Sequence, residues 1–254
     1  GEAKNTYGTG SFVLLNTGEQ PARPDPGVLS TVAWGIGDRV TYAAEASIFI
    51  TGAAIQWLRD GLGIIDEATE TGGMAASLDG NDGVYFVPAL TGLGSPWWDP
   101  HARGLVIGLT RGTGRAHLAR AALEAIAFQT VDAVRAQEAS SGRDLEILRA
   151  DGGAVENRWL MQFQADVLGA PVVVPEMAQT TAFGAAGLAG IGSGLWDERA
   201  MADMWRQSAR FEPRMSRDQA GALLAGWHRA VERSRGWADP GAVSREGNPG
   251  PAAG

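Results

Sequence analysis

The stretch Asn5-Thr6-Tyr7-Gly8-Thr9-Gly10, followed at once by the apolar run from Ser11 to Leu15, constrains this chain more than any other feature. A Gly-Thr-Gly turn beside a strand lets the backbone bend where other residues cannot, and it presents N–H groups and one hydroxyl outward. Such a turn can hold a phosphate without a full charge, and it can equally be an ordinary hairpin turn. Two further glycine-bearing stretches accompany it. Asp151-Gly152-Gly153-Ala154 follows the strand-like run from Leu145 to Ala150 and leads into a helix. Thr91-Gly92-Leu93-Gly94-Ser95-Pro96-Trp97-Trp98-Asp99-Pro100 lies between the two.

At 254 residues and 44% hydrophobic content, the chain can bury one large core or two modest ones. Its net charge of −8 argues against a nucleic-acid partner. It does not exclude ATP, because backbone turns and Mg2+ can carry the local charge. The absence of cysteine excludes disulfides and thiolate metal ligation. His101, His117 and His228 stand apart, so no protein metal site is predicted. No apolar run reaches membrane-spanning length, and no charged-then-apolar leader is visible, so a cytoplasmic chain with no membrane partner is expected. Of 21 lysines and arginines only Lys4 is lysine, which reads as codon usage in a GC-rich genome.

Phe12 to Leu15, Val28 to Trp34 and Arg39 to Ala44 read as three strands in an antiparallel meander. Helices are predicted over Ser47 to Leu62, over Asp66 to Thr71 with a stop at Gly72-Gly73, and over Ala116 to Glu138 with the stripe Leu118, Ala122, Ile126 and Val134. Val84 to Pro88, Leu145 to Ala150 and Val172 to Val174 read as strands. Asn157 to Leu168, Thr181 to Ile191, Glu198 to Ser208 and Ser216 to Ser234 read as helices. Asn157 suits a helix N-cap or a ligand contact. Glu124 reads as a solvated helix charge and His117 as structural. Phe12 suits either strand core or an exposed contact. Trp97 and Trp98 read as loop anchors. The order of elements argues for an α/β fold, a mixed sheet flanked by helices. The Pro- and Gly-rich segment from Asp239 to Gly254 is expected to be a disordered tail.

The three glycine-bearing stretches resemble the C-terminal half of the glycerol kinases, within the FGGY sugar-kinase family. Gly104-Leu105-Val106-Ile107-Gly108-Leu109, His117-Leu118 and Ala121-Ala122-Leu123-Glu124 match that family's second signature, and the resemblance covers residues 1 to about 238. It implies an actin-like ATPase, ribonuclease-H-like lobe over 1–238, and ATP-dependent phosphorylation of glycerol with ATP and Mg2+ as cofactors. It implies that Thr9 and Gly10 meet the β- and γ-phosphates, that Gly52 and Gln56 contact the nucleotide, that Gly152, Gly153 and Asn157 hold the adenosine, and that Phe12 closes over glycerol's carbon chain. It assigns no catalytic residue here. An N-terminal lobe would supply the first phosphate loop, the polar glycerol contacts and the aspartate base. The partners it implies are ATP or ADP, glycerol and that lobe. Self-association into a homo-oligomer through an uncovered apolar face is a further expectation. A stand-alone nucleotide-binding module, or a kinase of another polyol or sugar, are the alternatives.

Overall fold

Side chains alternate along the first strand: Ala3, Asn5 and Tyr7 are buried, while Glu2, Lys4 and Thr6 face the other way. That period of two defines a strand with one face turned into the core. In the computed structural model, which describes residues 1–23, 26–177 and 179–238, this is β1 (Glu2–Tyr7). It is followed by β2 (Ser11–Gly18), β3 (Leu29–Ile36) and β4 (Arg39–Ile48). With β7 (Ile147–Gly152), β8 (Val172–Pro175) and β9 (Gln207–Phe211) these form a seven-stranded sheet in the order β3-β4-β2-β1-β7-β8-β9. β1, β7 and β8 run parallel, and the flanking pairs are antiparallel. A small antiparallel pair, β5 (Tyr85–Val87) with β6 (Leu105–Ile107), stands apart.

The helices are α1 (Gly52–Gln56), which continues as a π-helical turn over Trp57–Gly61, then α2 (Glu70–Ala76) and α3 (Arg115–Ser141). A 3-10 turn over Gly153–Glu156 precedes α4 (Arg158–Leu168). α5 (Thr180–Gly192), α6 (Glu198–Met204) and α7 (Arg217–Ser234) complete the chain as described. α3 lies under the sheet and is buried along most of its length. Each of its buried polar side chains makes at least one hydrogen bond, although Gln137 Oε1 is left without a partner among the described residues. Gln137 donates to the carbonyls of Val13 and Ala44 at 2.7 and 2.8 Å, and Asn5 donates to Thr130 Oγ1 at 3.1 Å. Tyr7 donates its hydroxyl to Gln164 Oε1 on α4 at 2.9 Å.

The structure corrects several boundaries. The opening strands are not a simple meander, because β4 lies between β3 and β2, and β1 adds a fourth strand. Ser47 and Ile48 end β4 rather than starting a helix. Ser47 exchanges hydrogen bonds with Ser95, which ties the strand end to the Trp97-Trp98 loop. Gly72-Gly73 does not stop a helix but lies inside α2. The helix predicted to Ser208 ends at Met204, and Gln207–Phe211 pairs with β8. Glu124 is not solvated: it is 1% exposed, held by Arg120 at 2.7 Å and Asn81 at 3.0 Å, and burial raises its pKa. His117 takes the structural role, accepting from the Gly114 N–H at 3.1 Å. The segment 239–254 lies outside the described residues.

One buried carboxylate fastens α7 to α3. Asp132 Oδ2 accepts from Trp227 Nε1 and Oδ1 from His228 Nε2, both at 2.7 Å. The hydrogen bond to Asp132 raises the His228 pKa, with burial opposing, Arg135 lowering it and Glu232 raising it. A folded pKa above the unfolded value of about 6.5 means that this stabilisation is complete below that pH and is lost as pH rises through the folded value. His228→Gln is therefore expected to lower Tm more at about pH 5.5 than at about pH 9 in scanning fluorimetry. An equal penalty at both pH values would overturn the coupling.

Candidate functional site

β1 and β7 are neighbouring parallel strands in register, so Thr6 pairs with Asp151 and Tyr7 with Gly152. Both strands stop there, and the loops that leave them lie side by side at one end of the sheet. Carboxyl ends of adjacent parallel strands are where open α/β sheets form ligand crevices. The register is tight. Gly152 has φ +90°, and a β-carbon on it would lie 2.0 Å from the Tyr7 carbonyl oxygen. Only glycine fits that conformation and that contact.

The Gly8–Gly10 turn leaves β1 and packs against the start of α1. The Gly8 carbonyl accepts from Gly52 N at 3.0 Å, and the Thr9 carbonyl accepts from Thr51 N and Ala53 N at 2.9 and 3.0 Å. Thr51 Oγ1 donates to the Gly8 carbonyl at 3.1 Å and accepts from Ser11 Oγ at 3.1 Å. The Gly8 amide donates to the Gly10 carbonyl at 2.8 Å within the turn, so with the Gly8 and Thr9 carbonyls turned toward α1 the turn has the Thr9 and Gly10 amides and the exposed Thr9 hydroxyl to offer a ligand. The glycines here are required by protein contacts. A β-carbon on Gly10 would meet the Ile48 carbonyl oxygen at 2.4 Å, and one on Gly52 would meet that of Gly8 at 2.5 Å. The close approach that keeps Gly52 small is thus made by the turn itself. Gln56, at the end of α1, is exposed.

Gly153 follows the strand end and differs from its neighbour, since a β-carbon on it would meet nothing within 4 Å. Asn157 caps α4. Its Oδ1 accepts from Leu160 N at 3.1 Å, and its Nδ2 donates to Thr71 Oγ1 at 3.2 Å. Thr71 in turn donates to the Ala68 carbonyl at 2.7 Å. A β-carbon on Gly72 would stand 3.0 Å from Asn157 Oδ1. These contacts enclose a cavity of about 540 Å³ whose walls include Ile55, Thr71, Gly72, Gly153, Asn157 and Trp159. That volume is within the range of small-molecule sites. Of the residues predicted from sequence, Gly153 and Asn157 line this cavity. Thr9, Gly10, Gly52, Gln56 and Gly152 are not among its lining residues; they lie on the strand-end loops and on α1.

The wall formed by Thr69 to Gly72 escaped the sequence reading. The one available signal was a glycine pair inside an otherwise helical stretch. Phe12 is not core: it is 55% exposed on the face of β2 turned away from α3. Phe49 and Trp98 form an edge-to-face pair, with ring centroids 6.0 Å apart. The Asp151 side chain projects to the sheet face opposite α3, where it meets Lys4 at 3.1 Å and the Thr180 hydroxyl.

A family profile described as the C-terminal domain of the FGGY family of carbohydrate kinases matches residues 3–193. The chain belongs to this family. A glycerol kinase of Symbiobacterium thermophilum is 56% identical over 239 residues, which is 94% of this chain and 48% of that protein. The structure of Plasmodium falciparum glycerol kinase with ADP superposes with a TM-score of 0.85 at 35% identity, covering 91% of this chain and 47% of that one. A ligand-bound xylulose kinase from Lactobacillus acidophilus gives a TM-score of 0.76 at 22% identity over 96% of this chain and 48% of its own, a likeness of fold. The FGGY domain seen here thus has the actin-like ATPase fold, and the chain spans about half the length of the curated relatives it matches.

The two adjacent glycines should respond differently to the same change. Gly152→Ala is expected to destabilise the chain by about 3 kcal/mol, through backbone strain and the Tyr7 clash. Gly153→Ala, in open space, should stay within about 0.5 kcal/mol. Urea denaturation of both variants checks this, and equal costs would contradict the strand-end geometry.

Proposed function

We propose that this chain is the nucleotide-binding half of a glycerol kinase, which transfers the γ-phosphoryl group of ATP to a terminal hydroxyl of glycerol when joined to an N-terminal half. The observation that carries the reading is the convergence of Gly153 and Asn157 on one cavity beside the paired ends of β1 and β7. The relatives named glycerol kinase, one of them solved with ADP, support the choice of reaction and of nucleotide.

In this reading the adenosine occupies the cavity between α2 and α4. Gly153 leaves room for the ring against the main chain, and Asn157 is held in one orientation by Leu160 and Thr71. Gly52, Gln56 and Gly152 border the nucleotide's path toward the Gly8–Gly10 turn. There the amides and the Thr9 hydroxyl would receive the β- and γ-phosphates. Phe12, exposed on the sheet face near the turn, would pack on glycerol's carbon chain. Phosphoryl transfer depends mostly on positioning and electrostatic stabilisation, and those are the tasks assigned to this half. Among the described residues no three His, Asp or Glu side chains converge, so the reading leaves Mg2+ to the nucleotide phosphates and routes no step through it. The aspartate base is assigned to the N-terminal half. Residues 1–238 act as one unit, and the cytoplasm, where ATP is available, is the proposed setting. Among the described residues no helix is long and apolar enough to cross a membrane.

Titration calorimetry with ADP tests the reading directly. Wild-type chain is expected to bind, and Asn157→Ala to bind about tenfold more weakly while losing about 1 kcal/mol of stability through its cap. Alone, the chain should release no ADP from ATP in a glycerol-dependent manner. Joined to the N-terminal half of a glycerol kinase relative, it should do so with glycerol in preference to xylulose. Absence of ADP binding would overturn the nucleotide assignment, and glycerol turnover by the chain alone would overturn the division of labour.

A further inference from the structure

Lys4 is the only lysine among the 21 lysines and arginines of the chain. Its side chain leaves β1 on the face opposite α3, and its ammonium reaches the level of the Thr6–Asp151 pair, one step before the strand ends. There it lies 3.1 Å from Asp151 Oδ2, donates to Thr6 Oγ1 and reaches Thr181 Oγ1 at 3.4 Å. The Asp151 side chain is 3% exposed and that of Lys4 34%. Thr180 donates its hydroxyl to Asp151 Oδ2, while Asp151 Oδ1 is buried without a partner among the described residues. The next cation along this face, Arg149, is committed to Glu2 by hydrogen bonds at 3.1 and 3.0 Å. Lys4 is thus the cation paired with a buried carboxylate directly beneath the loops assigned to the nucleotide.

We infer that Lys4 is an electrostatic positioning residue for the nucleotide's phosphates, acting through Asp151. A buried carboxylate without its cation acts over a distance, because the surroundings screen it poorly. At the ends of β1 and β7 it would repel an incoming polyphosphate. The ammonium cancels that charge from below, so the Thr9 and Gly10 amides and the Thr9 hydroxyl meet the anion without opposition. An ammonium suits the place because it is a compact point charge with rotatable donors, whereas a guanidinium is a planar fork. Lys4 touches no substrate in this account. The inference rests on the nucleotide-binding reading above.

The test compares ligands with and without phosphates. Calorimetry on the full chain measures adenosine and ADP affinities for wild type, Lys4→Met, Lys4→Arg and the double variant Lys4→Met/Asp151→Asn. Lys4→Met is expected to weaken ADP about tenfold and adenosine by less than about twofold. Lys4→Arg, which keeps the charge, should recover most of the loss. The double variant, which removes both charges, should return ADP affinity to within about threefold of wild type. An equal loss for both ligands would mark Lys4 as merely structural, and an unchanged ADP affinity would equally overturn the inference. Should Lys4→Met fail to fold by circular dichroism, Asp151→Asn alone takes its place. It should then tighten ADP relative to adenosine, and an unchanged ratio overturns the proposal. Wild type that binds neither ligand would remove the nucleotide reading and this inference together. Wild type that binds both, with an unselective Lys4→Met, would remove the inference alone.

Discussion

Two parallel strands that end together are the constraint on which the ligand-facing side of this lobe depends. β1 and β7 stay in register to their last residues because Gly152 carries no β-carbon to meet the Tyr7 carbonyl oxygen. The strands are also held from both faces. Asn5 and Tyr7 bind α3 and α4 on one side, and Lys4 with Asp151 engages the start of α5 on the other. The loops beyond the strand ends therefore inherit a fixed separation and direction. A shift of one residue would turn Asn5 and Tyr7 out of the core and Lys4 into it, a penalty that specifies the register strongly.

How much of this the sequence discloses depends on whether local pattern and tertiary contact agree. α3 and α4 were legible because helical periodicity, the Asn157 cap and Gly169 all point the same way. β1 was not, because its inward positions are a small Ala3, a buried Asn5 and Tyr7, so the apolar half of the alternation is missing. The glycine pair in α2 reads as a breaker, yet Gly72 stands where a β-carbon would crowd Asn157, and packing overrides propensity. β9 shows a single buried residue at its end, too little alternation to separate it from the preceding helix. Within the candidate site, two of the residues singled out from sequence, Gly153 and Asn157, line the cavity. The wall from Thr69 to Gly72 was missed because its contribution is shape, which no residue type advertises.

The cavity is lined by small and apolar residues together with Thr69, Thr71, Glu156 and Arg158, and the Asn157 amide on its wall is already committed to two protein partners. Pre-satisfied polar groups of this kind hold their positions before a ligand arrives, so little ordering remains to be done on binding.

The fastening of α7 by Asp132 bears on where this unit really ends. The family match stops at residue 193, before α6, β9 and α7. Yet Trp227 is fully buried, stacks on Phe128 of α3 at 5.6 Å between centroids, and belongs to the same apolar cluster as Phe163 and Leu224. The limit of the family profile is therefore not a boundary of cooperative folding. A chain cut at the family limit would open the centre of its own core and leave Asp132 buried without the two donors that justify its charge. The segment that the family profile recognises and the segment that folding needs are, in this lobe, of different length.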